Sequence, residues 1–268
     1  MIRALRRARV AAMVLAIPAG AEAQKDWYNL DRGHPFVLAD ARALERNVLE
    51  FQLTPIEASR EQGGAYQWTI VPSAAAGLLP RTELEVALPI HFHDGGGVSR
   101  TGGLAGVELG VLHALNVESS SLPGLAVETV LLLPVGSEAP EVLFATVGAL
   151  ATRNLGRRFG GTRLHLNASG TFGNRDRASD EVDRWRAGLA MDRAWPLEAT
   201  LVGAELVASE PALGGSTEWM AGTGVRRQVS PRVTVDAGLR WGLAGDATGW
   251  GVVLGFSWAG GLARGGNR

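Results

Sequence analysis

The chain has no cysteine. A disulfide framework and a thiolate nucleophile are therefore both excluded. Beyond the first two dozen residues it also lacks any long apolar run, which excludes a helical membrane protein. Strong charge of either sign is absent too, with 26 basic and 27 acidic side chains. Nothing in that balance suggests a nucleic-acid partner. Glycine, by contrast, is abundant at 36 residues and scattered, which disfavours helices.

The first 23 residues have the organisation of an export signal. Arg3, Arg6, Arg7 and Arg9 form a basic start, Val10 to Ala19 an apolar stretch, and Ala21-Glu22-Ala23 a small-residue cleavage site before Gln24. The apolar stretch is too short to span a bilayer as a helix. Cleavage would remove four arginines and one glutamate and leave a mature chain with a net charge of −4. An exported chain without disulfides needs another way to hold itself together. A closed sheet is one, because it leaves no unpaired edge.

What fills the rest of the chain is alternation. In 249–258, Trp250, Val252, Leu254, Phe256 and Trp258 share one face, and small residues share the other. In 231–242, Val233, Val235, Ala237, Leu239 and Trp241 oppose Arg232, Thr234, Asp236 and Arg240. Trp185, Ala187, Leu189 and Met191 oppose Arg184, Arg186 and Asp192 in the same way. Twelve such segments can be drawn: 45–54, 66–74, 82–92, 104–116, 124–134, 142–153, 162–173, 183–194, 196–208, 216–229, 231–242 and 249–258. Connections after even-numbered strands are expected to be short, as around Pro196 and Ser230-Pro231, and the others longer. Ala75 to Arg81 and Asn154 to Gly161 do not look tight. The pattern predicts an all-β, up-and-down antiparallel transmembrane β-barrel of about twelve strands. The rival fold is a soluble sandwich with its polar faces outward.

In the barrel reading the apolar faces meet outer-membrane lipid. Trp185, Trp241, Trp250, Leu254, Phe256 and Trp258 are the candidates there. The polar faces line the lumen. Early strands contribute Glu50, Glu83, Glu85, Glu108 and Glu128. Later strands contribute Arg163, His165, Asn167, Arg184, Arg186, Arg226, Arg232 and Arg240, with Asp192, Glu218 and Asp236 among them. One wall would be acidic and the other mainly basic, giving a transverse field. The alternative is that these charges pair and fill a narrow barrel. Segments 124–134 and 142–153 are apolar on both faces in part and suit a plugged or apolar lumen. In 196–208, Glu205 shares parity with Leu197, Ala199 and Leu201, which suggests a bulge.

Residues 24–44 do not alternate, and Gly33 and Pro35 interrupt them. They are expected to form a periplasmic or lumenal segment that partly plugs the barrel through Trp27, Tyr28 and Phe36, with one helical turn over 40–44. Residues 259–268 are expected to be a tail.

Several motifs point to a family. They are E-R-N-V-L-E-F-Q-L at 45–53, R-T-E-L-E-V-A-L-P at 81–89, L-H-L-N-A-S-G at 164–170, G-A-E-L at 203–206 and the ending D-A-G-L-R-W-G-L … G-W-G-V-V-L-G-F-S-W. The leader L-D-R-G-H-P-F at 30–36, followed by Asp40-Ala41, belongs with them. Together they resemble the outer-membrane barrels of the MetA-pathway-of-phenol-degradation type. That resemblance implies a transporter of small molecules, aromatic or hydrophobic ones among them. The ending also resembles the terminal signal read by the outer-membrane assembly machinery, in Gly251, Leu254, Phe256 and Trp258.

Two chemical alternatives are weak. His165, Asn167 and Ser169 lie on one face, but neighbours two apart on a strand are about 7 Å apart, too far for a nucleophile–base pair. His91, His93 and Asp94 lack a further strong ligand for a metal. No cofactor is implied. A structural barrel and a lipid-hydrolysing barrel stay open beside the transporter. Removal of the export signal predicts that the protein purified from membranes begins at Gln24 by N-terminal sequencing; a chain retaining residues 1–23 would show an uncleaved anchor instead.

Overall fold

The computed structural model describes residues 26–60, 64–95, 98–177, 182–195, 197, 199–245 and 249–262. The expected export signal lies outside them, as do Pro196 and the last six residues of the tail. The described residues form fourteen strands: β1 Val48–Arg60, β2 Tyr66–Leu79, β3 Thr82–Ala87, β4 Ile90–Gly95, β5 Val98–Leu104, β6 Val107–Ala114, β7 Gly124–Leu133, β8 Phe144–Asn154, β9 Arg163–Phe172, β10 Asp183–Ala194, β11 Thr200–Pro211, β12 Glu218–Ser230, β13 Val233–Ala244 and β14 Trp250–Gly261. Two short 3₁₀ turns, Arg157–Phe159 and Arg175–Arg177, accompany them, with no α-helix among the described residues.

Every pairing is antiparallel, and β1 pairs with both β2 and β14, so the sheet closes. β3 and β4 are two halves of one passage, since β2 pairs with both in turn. β5 and β6 are likewise one passage, paired with β4 and β3. The result is a twelve-passage up-and-down barrel, and the sandwich is excluded.

The interruptions have a common cause. Pro55, Pro72, Pro89 and Gly106 follow one another at a constant interval of seventeen residues. Leu88 donates its backbone N–H to Pro72 at 3.0 Å, and Ala105 donates to Pro89 at 2.8 Å, so the prolines sit on neighbouring passages. A proline has no N–H to give to the ladder, so each breaks or shifts its pairing. The β1 register slips between Leu53 and Ile56 against both of its neighbours. These breaks form an oblique seam across the early wall.

Outward positions carry exposed apolar side chains throughout, including Leu84, Val86, Leu166, Leu189, Leu239 and Leu254. An apolar belt this continuous belongs against lipid rather than water. Aromatics mark its two margins. Trp241 and Trp250 are paired across β13 and β14 at one end. Phe51 and Trp258, with ring centroids 6.0 Å apart, sit toward the other. Trp185 also faces outward but is half-buried, its indole N–H donating to Glu210 at 2.7 Å.

The strand limits differ from expectation in instructive places. β2 continues to Leu79, so the turn at Pro80-Arg81 is tight, and Arg81 takes a left-handed φ of 58° to close it. The strand expected to begin at 196 begins at Thr200, so the connection before it is not minimal. No bulge interrupts it: Leu201, Glu205 and Val207 all face inward in an unbroken register with β12. The last strand continues past Trp258, with Ala259, Gly260 and Gly261 paired to Glu50, Leu49 and Val48. The expected tail is thus partly strand.

The belt sets a depth-dependent penalty for charge. Leu254→Arg, in the middle of β14, is expected to cost about 2–4 kcal/mol, and Val229→Arg, beside a hairpin turn, about 0–1 kcal/mol. Urea titration of the two variants refolded in lipid vesicles measures the difference.

Candidate functional site

Residues 26–47 enter from the barrel end where β1 begins and β14 finishes, here the near end. They rise to mid-lumen and return to the same end. The two limbs are tied together, because Asp40 donates its backbone N–H to Leu30 at 3.0 Å and Leu30 donates to the Asp40 carboxylate at 3.4 Å. Gly33 takes a φ of +93°, open to glycine and strained for other residues, at the tip of the turn. No helical turn forms over 40–44, because the wall supplies the partners a helix would have used. Ala41 N–H donates to Thr152 Oγ1 and Leu44 N–H to Glu83 Oε2, both at 2.9 Å.

Wall side chains bond much of this segment through its backbone. Val37 and Leu38 donate to the Glu205 carboxylate at 2.9–3.1 Å. Asn167 both accepts from Ala39 N–H and donates to Ala39 O, at 2.9 Å each. A segment without secondary structure thereby has its buried N–H groups satisfied. Apolar contacts fill the remaining space. Phe36 and Leu30 pack on Leu201, Leu38 packs on Ala190 and Val207, and Ala39 and Ala41 pack on Ala114, Ala126 and Leu150. Trp27 and Tyr28 cover the Phe36 cluster from the near end. The apolar inner faces of β7 and β8 are explained by this plug. Wall glycines admit it closely: a Cβ at Gly224 would stand 2.6 Å from the Pro35 side chain.

Charge anchors the plug on the later wall. Arg163, fully buried, grips Asp192 through two hydrogen bonds of 2.9 and 2.7 Å and reaches Asp40 of the plug at 2.9 Å. Its guanidinium also lies 3.9 Å from the Tyr28 ring centroid. Arg226 pairs with Asp236 at 2.6 Å and with Asp31 of the plug at 3.2 Å, and donates to Asn29 O. His34 stands between Arg226 Nη2 at 2.8 Å, Asp236 Oδ2 at 3.2 Å and Gln52 Oε1 at 2.9 Å. Gln52 continues the chain to Glu50 at 2.7 Å. Arg240 pairs with Glu57 at 2.6 Å and donates to Gly33 O at 3.0 Å.

The inward list read from alternation is largely found on the inner face. Glu50, Arg163, His165, Asp192, Arg226, Asp236 and Arg240 are buried there, and Glu83, Glu85, Glu108, Glu128, Asn167, Arg184, Arg186 and Glu218 are half-buried. Arg184 and Arg186, toward the far end, are paired with Glu210 and Asp183. Arg232 is the exception. It lies in the hairpin turn between β12 and β13, because Ser230 already pairs with Val233. Alternation missed Glu205, Glu57, Thr152 and the plug's own Asp31, Arg32, His34 and Asp40. Period-two reading is blind to an irregular segment and slips across the Leu53–Ile56 irregularity.

The two weak chemical alternatives find little support. His165 is engaged by Thr152 Oγ1 and Asp192 Oδ2, both at 3.0 Å, and not by Ser169. Thr152 Oγ1 in turn accepts from Ala41, so this row serves as a latch on the plug. Asp94 pairs with Arg100 at 2.5 Å, while the rings of His91 and His93 lie 6.4 Å apart. Among the described residues no group of three ligands could hold a metal.

On the earlier wall the plug fits loosely. A cavity of about 590 Å³ opens at the near end between plug residues 41–45 and the β6–β7 connection. A second, of about 160 Å³, lies on the far side between Arg32 and the inner faces of β7, β8 and β9. A third, of about 40 Å³, sits between them against Glu83, Glu85 and Glu128. Arg32 projects into this strip, 3.8, 3.5 and 3.8 Å from Glu85, Glu108 and Glu128. Burial acts to lower its pKa, but the carboxylates of Glu128, Glu108 and Glu85 outweigh it and hold the guanidinium charged, above its usual range.

Known proteins place the architecture. No protein-family model and no curated protein matches the chain. Among solved structures, the COG4313 outer membrane channel from Pseudomonas putida F1 aligns with 82% of this chain and 98% of its own, at 14% identity and a TM-score of 0.54. A KdgM porin in complex with disordered oligogalacturonate aligns with 79% of this chain and 98% of its own, at 8% identity and a TM-score of 0.51. The fold is that of outer-membrane barrels.

Breaking a buried pair from one side leaves an uncompensated charge, at a cost of about 3–5 kcal/mol. Asp40→Asn should therefore loosen the plug. Because the chain is free of cysteine, Ala39→Cys supplies a single reporter. Its labelling by a membrane-impermeant thiol reagent is expected to be slow in the parent and markedly faster with Asp40→Asn.

Proposed function

We propose that this protein is an outer-membrane channel for small solutes, narrowed by its own N-terminal segment, and that it is a transporter of the MetA-pathway-of-phenol-degradation type. The observation that carries this reading is the strip of cavities left beside the plug. A barrel built only as a structural element would gain stability by filling that space with side chains. Here the later wall grips the plug through buried ion pairs, while the earlier wall leaves a vestibule of about 590 Å³ and a narrow continuation. The vestibule is of the size that holds a small organic molecule.

Its floor is apolar on one side, with Ala41, Leu44, Val48 and Ala114. That surface suits the ring or short chain of an aromatic or aliphatic solute. The export signal, the lipid-facing belt and the terminal strand support a route through cleavage, the assembly machinery and insertion into the outer membrane. A hydrolytic role is disfavoured, because the His165 row is spent on the plug.

Single-channel recording in a planar bilayer tests the reading. The folded wild-type barrel is expected to give small ohmic steps, and Asp31→Asn with Asp40→Asn larger ones, since both substitutions release the plug from its arginine anchors. Silence from both proteins, with heat-modifiable migration showing them folded, would favour a structural barrel.

A further inference from the structure

Resting on the channel reading, we propose that the lumen is selective for small organic cations, an ammonium or guanidinium on a compact apolar body, and that Arg32 is the tethered cation they displace. Three observations carry it. The first is the charge of the strip itself. Eleven carboxylates and four guanidinium groups line its three cavities. The wide vestibule and the narrow continuation share Arg42, and the narrow part and the far cavity share Arg32, Ala39, Glu128 and Val130. A low-dielectric passage lined by one sign of charge concentrates the opposite ion.

The second is the use made of arginine elsewhere. Arg163, Arg226 and Arg240 are consumed by carboxylates of the later wall, of the plug and of β1. The basic wall anticipated from alternation therefore presents little free positive charge to the strip. Asp31 and Asp40 are balanced by the same pairs. The carboxylates of Glu85, Glu108 and Glu128 on the earlier wall face the open path.

The third is the state of Arg32. A guanidinium already sits among Glu85, Glu108 and Glu128, so the site has the shape to accept one. It is held loosely, at 3.5–3.8 Å from each carboxylate and with 31% of its side chain exposed. Contacts of that length fall outside or at the limit of hydrogen bonding, so the three carboxylates hold the guanidinium by charge without fixing it through directional bonds. The wall is cut to suit: Gly110 is paired with Glu85 and Gly148 with Glu128, and a Cβ at Gly148 would stand 3.1 Å from the Glu128 side chain. An arriving cation exchanges with Arg32 at no net change in charge, while an anion would have to enter an acidic passage.

The test uses the full-length protein in planar bilayers under a KCl gradient, then with benzylammonium chloride and sodium benzoate, which share a ring and differ in sign. Wild type is expected to show a reversal potential shifted toward the potassium value and to pass benzylammonium but not benzoate. Arg32→Gln should raise the conductance and move the reversal potential further in the same direction. Glu108→Gln with Glu128→Gln should lose much of the shift. A conducting channel that reverses at zero or on the chloride side overturns the inference and leaves the channel reading intact. So does an Arg32→Gln protein indistinguishable from wild type. Absence of current in every folded variant overturns the channel reading itself, and the inference with it.

Discussion

The structure depends on a counter-charge requirement. Arg163 and Arg226 are fully buried in the wall, and a guanidinium removed from water must be paired. Each has one carboxylate on the neighbouring strand, Asp192 or Asp236, and a second on the plug, Asp40 or Asp31. The plug thereby completes two buried clusters that the wall leaves short. Ordering an irregular segment costs conformational entropy at every residue. The ion pairs, the wall side chains that bond its backbone and the apolar contacts of Phe36, Leu38 and Ala41 together offset that cost.

The same requirement explains how the apolar residues of the inner wall are used. Leu150, Ala126 and Leu201 face a lumen that would be wet if open. With the plug in place they face Ala41, Ala39 and Phe36. The polar and apolar parts of the inner wall thus form one complementary surface for residues 29–41, mixed in composition because its partner is mixed. Glycines at 188, 203 and 224 bring that partner within van der Waals reach of the wall backbone.

Much of this was legible from side-chain period alone, for a physical reason. A closed barrel has one lipid face and one lumenal face, so parity decides location wherever the register is unbroken, and alternation puts Arg163, Arg226 and Asp236 on the polar face, where they are buried. Glu205 was misread because Leu201, on the same face, looked outward by chemistry. Only the presence of Phe36 inside the barrel makes an inward leucine sensible. The end of the first strand was misjudged: the segment expected over 45–54 stops at Pro55, whereas β1 continues through it to Arg60, and its register shifts there against both neighbours. The anchors on the plug were not legible at all. Trp27, Tyr28 and Phe36 stood out as apolar anchors, but nothing in an irregular segment says which wall Asp31 or Asp40 will face.

The two walls differ in what removing the plug would leave behind. On the later side, separation strands Arg163 and Arg226 with half of their partners and exposes Leu201 and Val207. On the earlier side, it separates Arg32 from glutamates that it touches weakly. Resistance to movement is therefore concentrated along β9 to β13, and compliance along β3, β6 and β7. On the channel reading, solute passing beside a seated plug would meet the compliant side first. The lumen's electrical character would then be set by the wall the plug does not grip, with Arg163, Arg226 and Arg240 of the later strands holding the structure.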